Sequence, residues 1–261
     1  MPPSSSLSKN QQVHFITGAG SGIGQLAARR ALAAGHKVVA VDISEQGLAQ
    51  LGASERLLSL QTDITNPVAV HGAVERAQLE FGPIDRVVNA AAIMPLGLLT
   101  EQANETIHRI MSINYGGLVN VAQATVPAML RLGRGQFVSF SSSAGHIPVL
   151  YMGAYDASKS AVNAFTEVLH HENLGRGVQF CCICPPPVST PLLDQARQTV
   201  WPKMFDITPA ITADDVLNEL ERGLQRGDFW IFPGPKVGLY VKLRRFVPDL
   251  LWKRVHQIEG R

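Results

Sequence analysis

A glycine-rich segment follows the first apolar run of the chain and precedes a stretch of helix-forming residues. The apolar run covers residues 13–17, residues 18–24 read GAGSGIG, and residues 25–32 read QLAARRAL. Glycines let the backbone approach a phosphate closely, and a helix N-terminus directs unpaired N–H groups at its charge. The order of strand, glycine turn and helix therefore predicts a site for the pyrophosphate of a dinucleotide.

An acidic residue ends the next apolar run, at residues 36–41. Asp42 follows Gly24 by 18 residues. A carboxylate there can accept hydrogen bonds from both ribose hydroxyls of an adenosine, and it would repel a 2′-phosphate. Ala19, Ser21 and Ile43 offer that phosphate no cation. The pattern favours NAD over NADP as the cofactor.

Apolar runs and helix-forming stretches alternate along most of the chain. Further strands are predicted at residues 57–60, 84–88, 137–140 and 178–183. This alternation predicts one α/β domain, a Rossmann-like doubly wound parallel sheet with helices on both faces and ligands at the carboxyl ends of its strands. Asp42, Asn89, Ser142 and Pro185 fall at such ends. We expect them to share one site.

Residues 137–165 combine an apolar run, the serine triplet at residues 141–143 and a Tyr-x-x-x-Lys pair. Tyr155 and Lys159 are four apart in a predicted helix, so their side chains lie on one face, one turn apart. The pKa of a free phenol is about 10, and a nearby ammonium group favours the phenolate. We therefore expect the pKa of Tyr155 to fall toward neutrality, which suits proton exchange. On an ordinary amphipathic helix the tyrosine would only pack and the lysine would be solvated.

Charge and cysteine content narrow the function classes. The net charge of +2 is too small to indicate nucleic-acid binding. Cys181, Cys182 and Cys184 crowd into a predicted buried strand, which suits neither a disulfide nor zinc. We expect buried thiols, no metal site and a reducing, cytoplasmic location. There is no apolar run of a length that would span a membrane, and residues 1–11 read as a flexible tail.

Several motifs occur together: TGAGSGIG at residues 17–24, NAAA at residues 89–92, Asn114, and YDASK at residues 155–159 with Ser142 thirteen residues before its tyrosine. In this combination the chain resembles the short-chain dehydrogenase/reductase family over about residues 12–235. The resemblance implies that Ser142 orients the substrate and that Tyr155 is the general acid/base. Lys159 would bind the nicotinamide ribose and lower the pKa of the tyrosine, and Asn114 would hold a water of the proton relay.

The resemblance and the strand ends together imply a set of cofactor contacts. They are Gly18, Ser21, Gly22, Ile23, Gly24, Asp42, Asp63, Ile64, Asn89, Ala90, Ala91, Tyr155, Lys159, Pro185, Val188 and Thr190. Asp63 has a second interpretation, as an N-cap-like residue of the helix that begins near residues 66–67. Pro186 stands where the family usually has glycine, and it fixes φ near about −65° and lacks an N–H. The backbone beside the nicotinamide is therefore expected to shift.

The family's substrate lid would fall near residues 191–212, which are rich in bulky apolar side chains. With them, an apolar pocket is expected from Met94, His146, Tyr151, Trp201 and Phe205. The implied reaction is NAD-dependent interconversion of a hydrophobic secondary alcohol and its ketone. The alternative is an NAD(H)-binding sensor or scaffold protein with little turnover. Relatives commonly pair through two helices, which implies a homodimer or a homotetramer.

The segment at residues 236–257 extends beyond the family core. Residues 236–255 carry six cations and one acid, a net charge near +5, among bulky apolar residues at helical spacing. Such a segment can lie on an anionic membrane surface, or it can pack over the lid or a partner subunit. Residues 258–261 read IEGR, a protease recognition sequence often appended to recombinant proteins, and are excluded from the fold prediction.

Overall fold

The computed structural model describes residues 11–260. Its strands are β1 Val13–Thr17, β2 Lys37–Asp42, β3 Leu57–Gln61, β4 Arg86–Asn89, β5 Gly135–Phe140, β6 Val178–Ile183 and β7 Trp230–Ile231. Its α-helices are α1 Gly22–Ala33, α2 Glu45–Ala49, α3 Pro67–Phe81, α4 Asn104–Met111, α5 Gly117–Leu132, α6 Gly153–Glu172, α7 Pro191–Arg197, α8 Met204–Ile207, α9 Ala213–Arg226, α10 Val237–Phe246 and α11 Pro248–Glu259. A π-helical turn, Ser112–Gly116, joins α4 to α5, and a 3-10 turn, Ser143–Gly145, follows β5.

The strands form one parallel sheet in the order β3-β2-β1-β4-β5-β6-β7. The strand order reverses between β1 and β4, where Thr17 pairs with Asn89 at the carboxyl ends. A crevice opens at such a reversal in doubly wound sheets. The predicted fold class is confirmed.

Both faces of the sheet are covered, which explains why its central strands read as continuous apolar runs. Phe15, Val39 and Phe137 face a cluster that includes residues of α3, α5 and α6. Ile16 and Val138 face the opposite cluster, with residues of α1 and α9. Successive strand residues alternate between the two clusters because their side chains point to opposite faces.

The structure decides two local predictions, one about the N-cap of α3 and one about the three cysteines. Asn66, and not Asp63, is the N-cap of α3, because its side chain accepts hydrogen bonds from the N–H groups of Val68 and Ala69. Asp63 instead accepts from the backbone N–H and the hydroxyl of Thr65. The three cysteines are buried and unpaired.

The C-terminal helices pack against the lid. Glu259 is buried at the end of α11, and its carboxylate accepts hydrogen bonds from the N–H groups of Lys203 and Met204, at the start of α8. Residues 258–260 complete α11 and belong to the fold, although the sequence led us to set them aside. Residues 1–10 of the predicted tail, and Arg261, lie outside the described residues. Among the helices of residues 11–260, none is both long and apolar enough to cross a membrane.

Candidate active site

A cleft of about 260 Å³ lies beyond the carboxyl ends of β1 to β4. Eleven of the predicted cofactor contacts line it, namely Gly18, Ser21, Gly22, Ile23, Gly24, Asp42, Asp63, Ile64, Ala90, Ala91 and Thr190. The remaining lining residues were not predicted: Val41, Ile43, Thr62, Ala92, Ile93, Arg109, Ile113 and Leu192. The position of Ile43 and Thr62 next to predicted contacts was a usable signal, whereas no motif marks Arg109.

The glycine turn fits a pyrophosphate. Gly18 and Gly22 have positive φ, and a Cβ on Gly18 would lie 2.8 Å from the backbone nitrogen of Ala91. A Cβ on Gly24 would collide with the carbonyl of Gly18. The first turn of α1 contains no acidic residue, and the side chain of Ser21 makes no capping hydrogen bond. The N–H groups of this turn therefore remain available for an anion.

Asp42 is fixed at the end of β2 by the backbone. One carboxylate oxygen accepts from the N–H of Gly20 and the other from the N–H of Ser44, both at 2.8 Å. A Cβ on Gly20 would meet this carboxylate at 2.8 Å. The close approach of Gly20 holds the negative charge at the rim of the cleft.

Tyr155, Lys159 and Ser142 meet where α6 crosses the end of β5. Tyr155 and Lys159 are almost fully buried, and the Lys159 Nζ lies 5.6 Å from the centre of the Tyr155 ring. Lys159 Nζ donates a hydrogen bond to the carbonyl of Phe140 at 2.8 Å. The Ser142 side chain lies close enough to Tyr155 to affect its pKa, and its Oγ accepts a hydrogen bond from the N–H of Ala144. The structure thus brings the predicted catalytic pair together with the predicted serine.

Burial dominates the proton affinities of this pair. It raises the pKa of Tyr155 above its ordinary value of 10, and the interaction with Ser142 only partly opposes the rise. Burial also lowers the pKa of Lys159 to about 8, an effect that Cys182 and Cys184 partly offset. The prediction that Lys159 brings the pKa of Tyr155 toward neutrality is wrong for this state. Tyr155 is a neutral phenol here, and therefore a proton donor.

The polar side chains next to Tyr155 and Lys159 form hydrogen bonds mainly with the backbone. Ser141 donates its hydroxyl hydrogen to the carbonyl of Lys159, which leaves Ser142 as the serine directed at Tyr155. Asn114 lies in the π-helical turn, where its amide bonds both backbone groups of Ile93 and the hydroxyl of Ser158. Ser158 in turn donates to the carbonyl of Tyr155. Asn114 therefore supports the helix that carries the tyrosine, and its role toward a water stays a prediction.

An apolar cluster surrounds Tyr155 beneath the lid. Its buried members are Met94, Leu96, Ala144, Met152, Tyr155, Leu193 and Ala196, with Val149, Leu192, Val200, Trp201 and Phe205 packed against them. Two side chains of residues 191–212 bind the facing loop, because Gln195 accepts from the N–H of Met94 and Thr199 accepts from that of Leu96. The Trp201 and Phe205 rings meet edge to face at 5.0 Å.

Two predicted substrate residues lie outside this cluster. His146 packs against the rings of Trp230 and Phe232, and its Nε2 lies 3.6 Å from the sulfur of Cys184. Tyr151 has a positive φ, and its carbonyl accepts a hydrogen bond from the N–H of Gly97. Gly97 follows Met94 and Leu96 in the loop that faces the lid. The aromatic partners of His146 lie on β7 and just after it, far along the chain. Local sequence therefore does not predict this contact.

The other predicted cofactor contacts frame the cleft without appearing in its lining. Asn89 accepts a hydrogen bond from the hydroxyl of Thr17, which joins β4 to β1. The carbonyl of Pro185 accepts from the N–H of Ser143, and Val188 bridges to Ile211. Pro186 lies in a loop held on both sides by these backbone contacts. The shift of the backbone beside a nicotinamide that Pro186 is expected to cause stays a prediction.

Comparison with known proteins agrees with this geometry. The profile of a family described as short chain dehydrogenase matches residues 12–201. The chain belongs to the short-chain dehydrogenase/reductase family. Members of this family are oxidoreductases that bind a nicotinamide cofactor.

Individual relatives match along most of their length. The chain is 30% identical to 17-beta-hydroxysteroid dehydrogenase 13 of Rattus norvegicus, over 95% of this chain and 83% of that protein. It is 31% identical to dehydrogenase/reductase SDR family member 7B of Bos taurus, over 92% of this chain and 79% of that protein. A short-chain dehydrogenase/reductase from Burkholderia phymatum, solved in complex with NAD, superposes with a TM-score of 0.83 at 27% identity, over 92% of this chain and 95% of that one.

Asp156, beside the tyrosine, is a buried acid whose protonation should affect stability. Its Oδ2 accepts from the N–H of Val149, whereas its Oδ1 has no partner among the described residues. Burial raises the pKa of this carboxyl from 3.8 to about 8. Between these values the folded chain holds a proton that the unfolded chain releases. The free energy of unfolding contributed by Asp156 therefore decreases as the pH rises through this window.

Asp156→Asn should remove this decrease, because an amide stays neutral and its oxygen can still accept from Val149. Thermal unfolding followed from about pH 4 to about pH 8 should show the midpoint of the native chain falling by several degrees relative to that of the variant. Asp249→Asn, an exposed change on α11, should keep the native pH dependence. Parallel curves for the native chain and Asp156→Asn would contradict the prediction.

Proposed function

We propose that this protein is an NAD-dependent oxidoreductase that interconverts a hydrophobic secondary alcohol and its ketone. The observation that supports this most strongly is the buried Tyr155 side chain, which lies beside Ser142 and in the apolar cluster beneath the lid, in a chain whose glycine turn and Asp42 line a cleft at the strand ends. When bound, the nicotinamide supplies or accepts the hydride at its C4 atom. The side chains of this protein would manage the proton and orient the substrate oxygen.

Tyr155 and Ser142 divide the work at that oxygen. In ketone reduction the neutral Tyr155 phenol donates its proton to the developing alkoxide, and in alcohol oxidation the phenolate accepts the hydroxyl proton. The Ser142 hydroxyl donates a hydrogen bond to the same oxygen and holds it in line. Lys159 lies one helical turn away, where its charge would offset only part of the burial that raises the pKa of Tyr155. It can bind a ribose hydroxyl if its ammonium turns from the Phe140 carbonyl.

The choice of NAD rests on Asp42. Its carboxylate is fixed at the cleft rim by Gly20 and Ser44, where it can bind two ribose hydroxyls and repel a phosphate. Arg109 is a cation on the wall of the same cleft. We propose that Asp42 determines the preference, because it ends the strand that follows the glycine turn.

The substrate class follows from the side chains around Tyr155. Met94, Leu193, Trp201 and Phe205 provide a wall of bulky, adaptable apolar surface. The rat relative is named as a hydroxysteroid dehydrogenase. We propose a large apolar alcohol of steroid or similar size, and we propose that Tyr151 lies at the entrance of its pocket.

Assembly and location complete the proposal. Proteins of this family often form oligomers, and we propose a homodimer or homotetramer formed through α4, α5 and α6. Val168 on α6 and Leu132 on α5 are exposed apolar side chains suited to such a contact. The free cysteines agree with a reducing, cytoplasmic compartment. Sedimentation of the full chain would give the number of subunits.

The test is NADH formation, followed by absorbance, with a panel of hydrophobic secondary alcohols. We expect turnover with NAD that rises with the apolar size of the alcohol, and much weaker turnover with NADP. Tight NADH binding, detected by fluorescence, with no turnover across the panel would favour the alternative, a cofactor-binding sensor or scaffold. Turnover limited to small polar alcohols would contradict the proposed substrate class.

A further inference from the structure

The two C-terminal helices leave a band of apolar side chains in solvent. Val237 and Val255 are buried against the protein. The outward side chains of α10, α11 and their junction include Leu239, Tyr240, Leu243, Phe246, Val247 and Leu250, which we call the C-terminal apolar band. Leu239, Leu243 and Phe246 recur at intervals of four and three residues within α10, the spacing of one helix face, and Leu250 lies in the first turn of α11. The exposed fraction of the Phe246 side chain is 79%.

Cations accompany this band at almost every turn. Lys236, Lys242, Arg244, Arg245, Lys253 and Arg254 lie in the same 20 residues, against a single acid, Asp249. None of these six cations forms an ion pair within the described residues, because the arginines that pair with carboxylates there all lie outside α10 and α11. Their charge is therefore available to an external anion.

We propose that the C-terminal apolar band and its cations dock the protein on an anionic membrane surface. Helices of this kind lie in the plane of the interface, with apolar side chains among the acyl chains and Lys and Arg at the headgroups. A second copy of the chain fits less well, because pairing two such segments would bring two charges near +5 together. The occupant should therefore be both negatively charged and apolar, which an anionic phospholipid surface is.

The docking surface is continuous with the substrate lid. Glu259, at the end of α11, binds the backbone N–H groups at the start of α8. Lys203 Nζ also donates to the carbonyl of Glu259. Docking through α10 and α11 would therefore hold the apolar lid close to the lipid surface, where a water-insoluble alcohol is concentrated. The docking itself does not depend on the proposed reaction.

The experiment is co-sedimentation of the full chain with phosphatidylcholine vesicles and with vesicles that also contain phosphatidylglycerol. We expect binding to the anionic vesicles that weakens as salt is added. The double variant Phe246→Ser, Leu250→Ser should reduce this binding about tenfold or more. Arg244→Glu with Arg245→Glu should reduce it at least as much, since each cation near the surface contributes about a fivefold effect.

The matched control is Leu79→Ser on α3, whose side chain is 87% exposed and lies outside the C-terminal apolar band. It should bind the vesicles like the native chain. Circular dichroism should show that all variants keep the native fold, because the changed side chains are exposed or, for Arg244, half-buried. The proposal fails if the native chain sediments with neither vesicle, if it prefers the uncharged vesicles, or if Leu79→Ser binds as weakly as the band variants. It also fails if the double variant Phe246→Ser, Leu250→Ser converts an oligomer to monomers without changing vesicle binding.

Discussion

Tyr155→Phe should lower kcat by about 10²- to 10⁴-fold while leaving NADH binding close to native. Phenylalanine fills the same buried space within the apolar cluster, so only the hydroxyl and its interaction with Ser142 are lost. The hydrogen bond from Lys159 to Phe140 does not involve that hydroxyl. The proton of the reaction then has no side-chain donor at the Tyr155 position, although the nicotinamide can still bind.

The measurement pairs steady-state NADH formation with NADH fluorescence titration. Tyr240→Phe is the matched control, because it removes a hydroxyl from a half-exposed tyrosine on α10, far along the chain from the cleft residues. It should retain the native kcat. If Tyr155→Phe and Tyr240→Phe turn over equally fast, Tyr155 is not the acid/base. If Tyr155→Phe loses NADH binding as well, the tyrosine acts mainly on the cofactor site.

The strand ends could be predicted from sequence because a parallel sheet covered on both faces produces uninterrupted apolar runs. Such runs end visibly, and at those ends stand Asp42 and Ser142. The glycine turn was equally visible, since its close contacts admit no side chain. These signals are local, and each is explained by the geometry of a single strand and the turn that follows it.

The proton affinity of Tyr155 could not be predicted in the same way. Spacing shows that Lys159 is one helical turn away, but it does not show that the lid and α6 exclude water from the phenol. That exclusion depends on residues such as Leu193 and Trp201, which lie far along the chain. Desolvation then outweighs the neighbouring charge, and the pKa of the tyrosine rises.

Long-range contacts explain the other differences. Glu259 binds Met204 across 55 residues, and no local pattern marks a carboxylate that will bind the start of a distant helix. His146 finds its aromatic partners on and after β7. Arg109 of α4 lines the cleft, and its position depends on how α4 packs against α6 and the π-helical turn rather than on a motif.

Asp42→Asn combined with Ile43→Arg should convert a preference for NAD into a preference for NADP. A phosphate about 4 Å from a carboxylate costs about 4 kcal/mol at an effective dielectric constant of about 20. The native chain should therefore favour NAD by about 10²- to 10³-fold in kcat/KM. Asparagine removes the charge and keeps an oxygen for one of the two N–H groups that hold Asp42. Ile43 lines the cleft and is exposed, so arginine there can reach a phosphate.

The decisive quantity is the ratio of kcat/KM with NAD to that with NADP. Asp42→Asn alone should bring the ratio near one, mainly by raising the KM for NAD, and the double variant should reverse it. Asp63→Asn removes the charge of the other carboxylate on the cleft wall and should leave the ratio unchanged, because Asp63 is turned toward Thr65. An NADP preference in the native chain that disappears in Arg109→Ala would instead make Arg109 the phosphate partner. The carboxylate at the end of β2 would then bind ribose without setting the choice of cofactor.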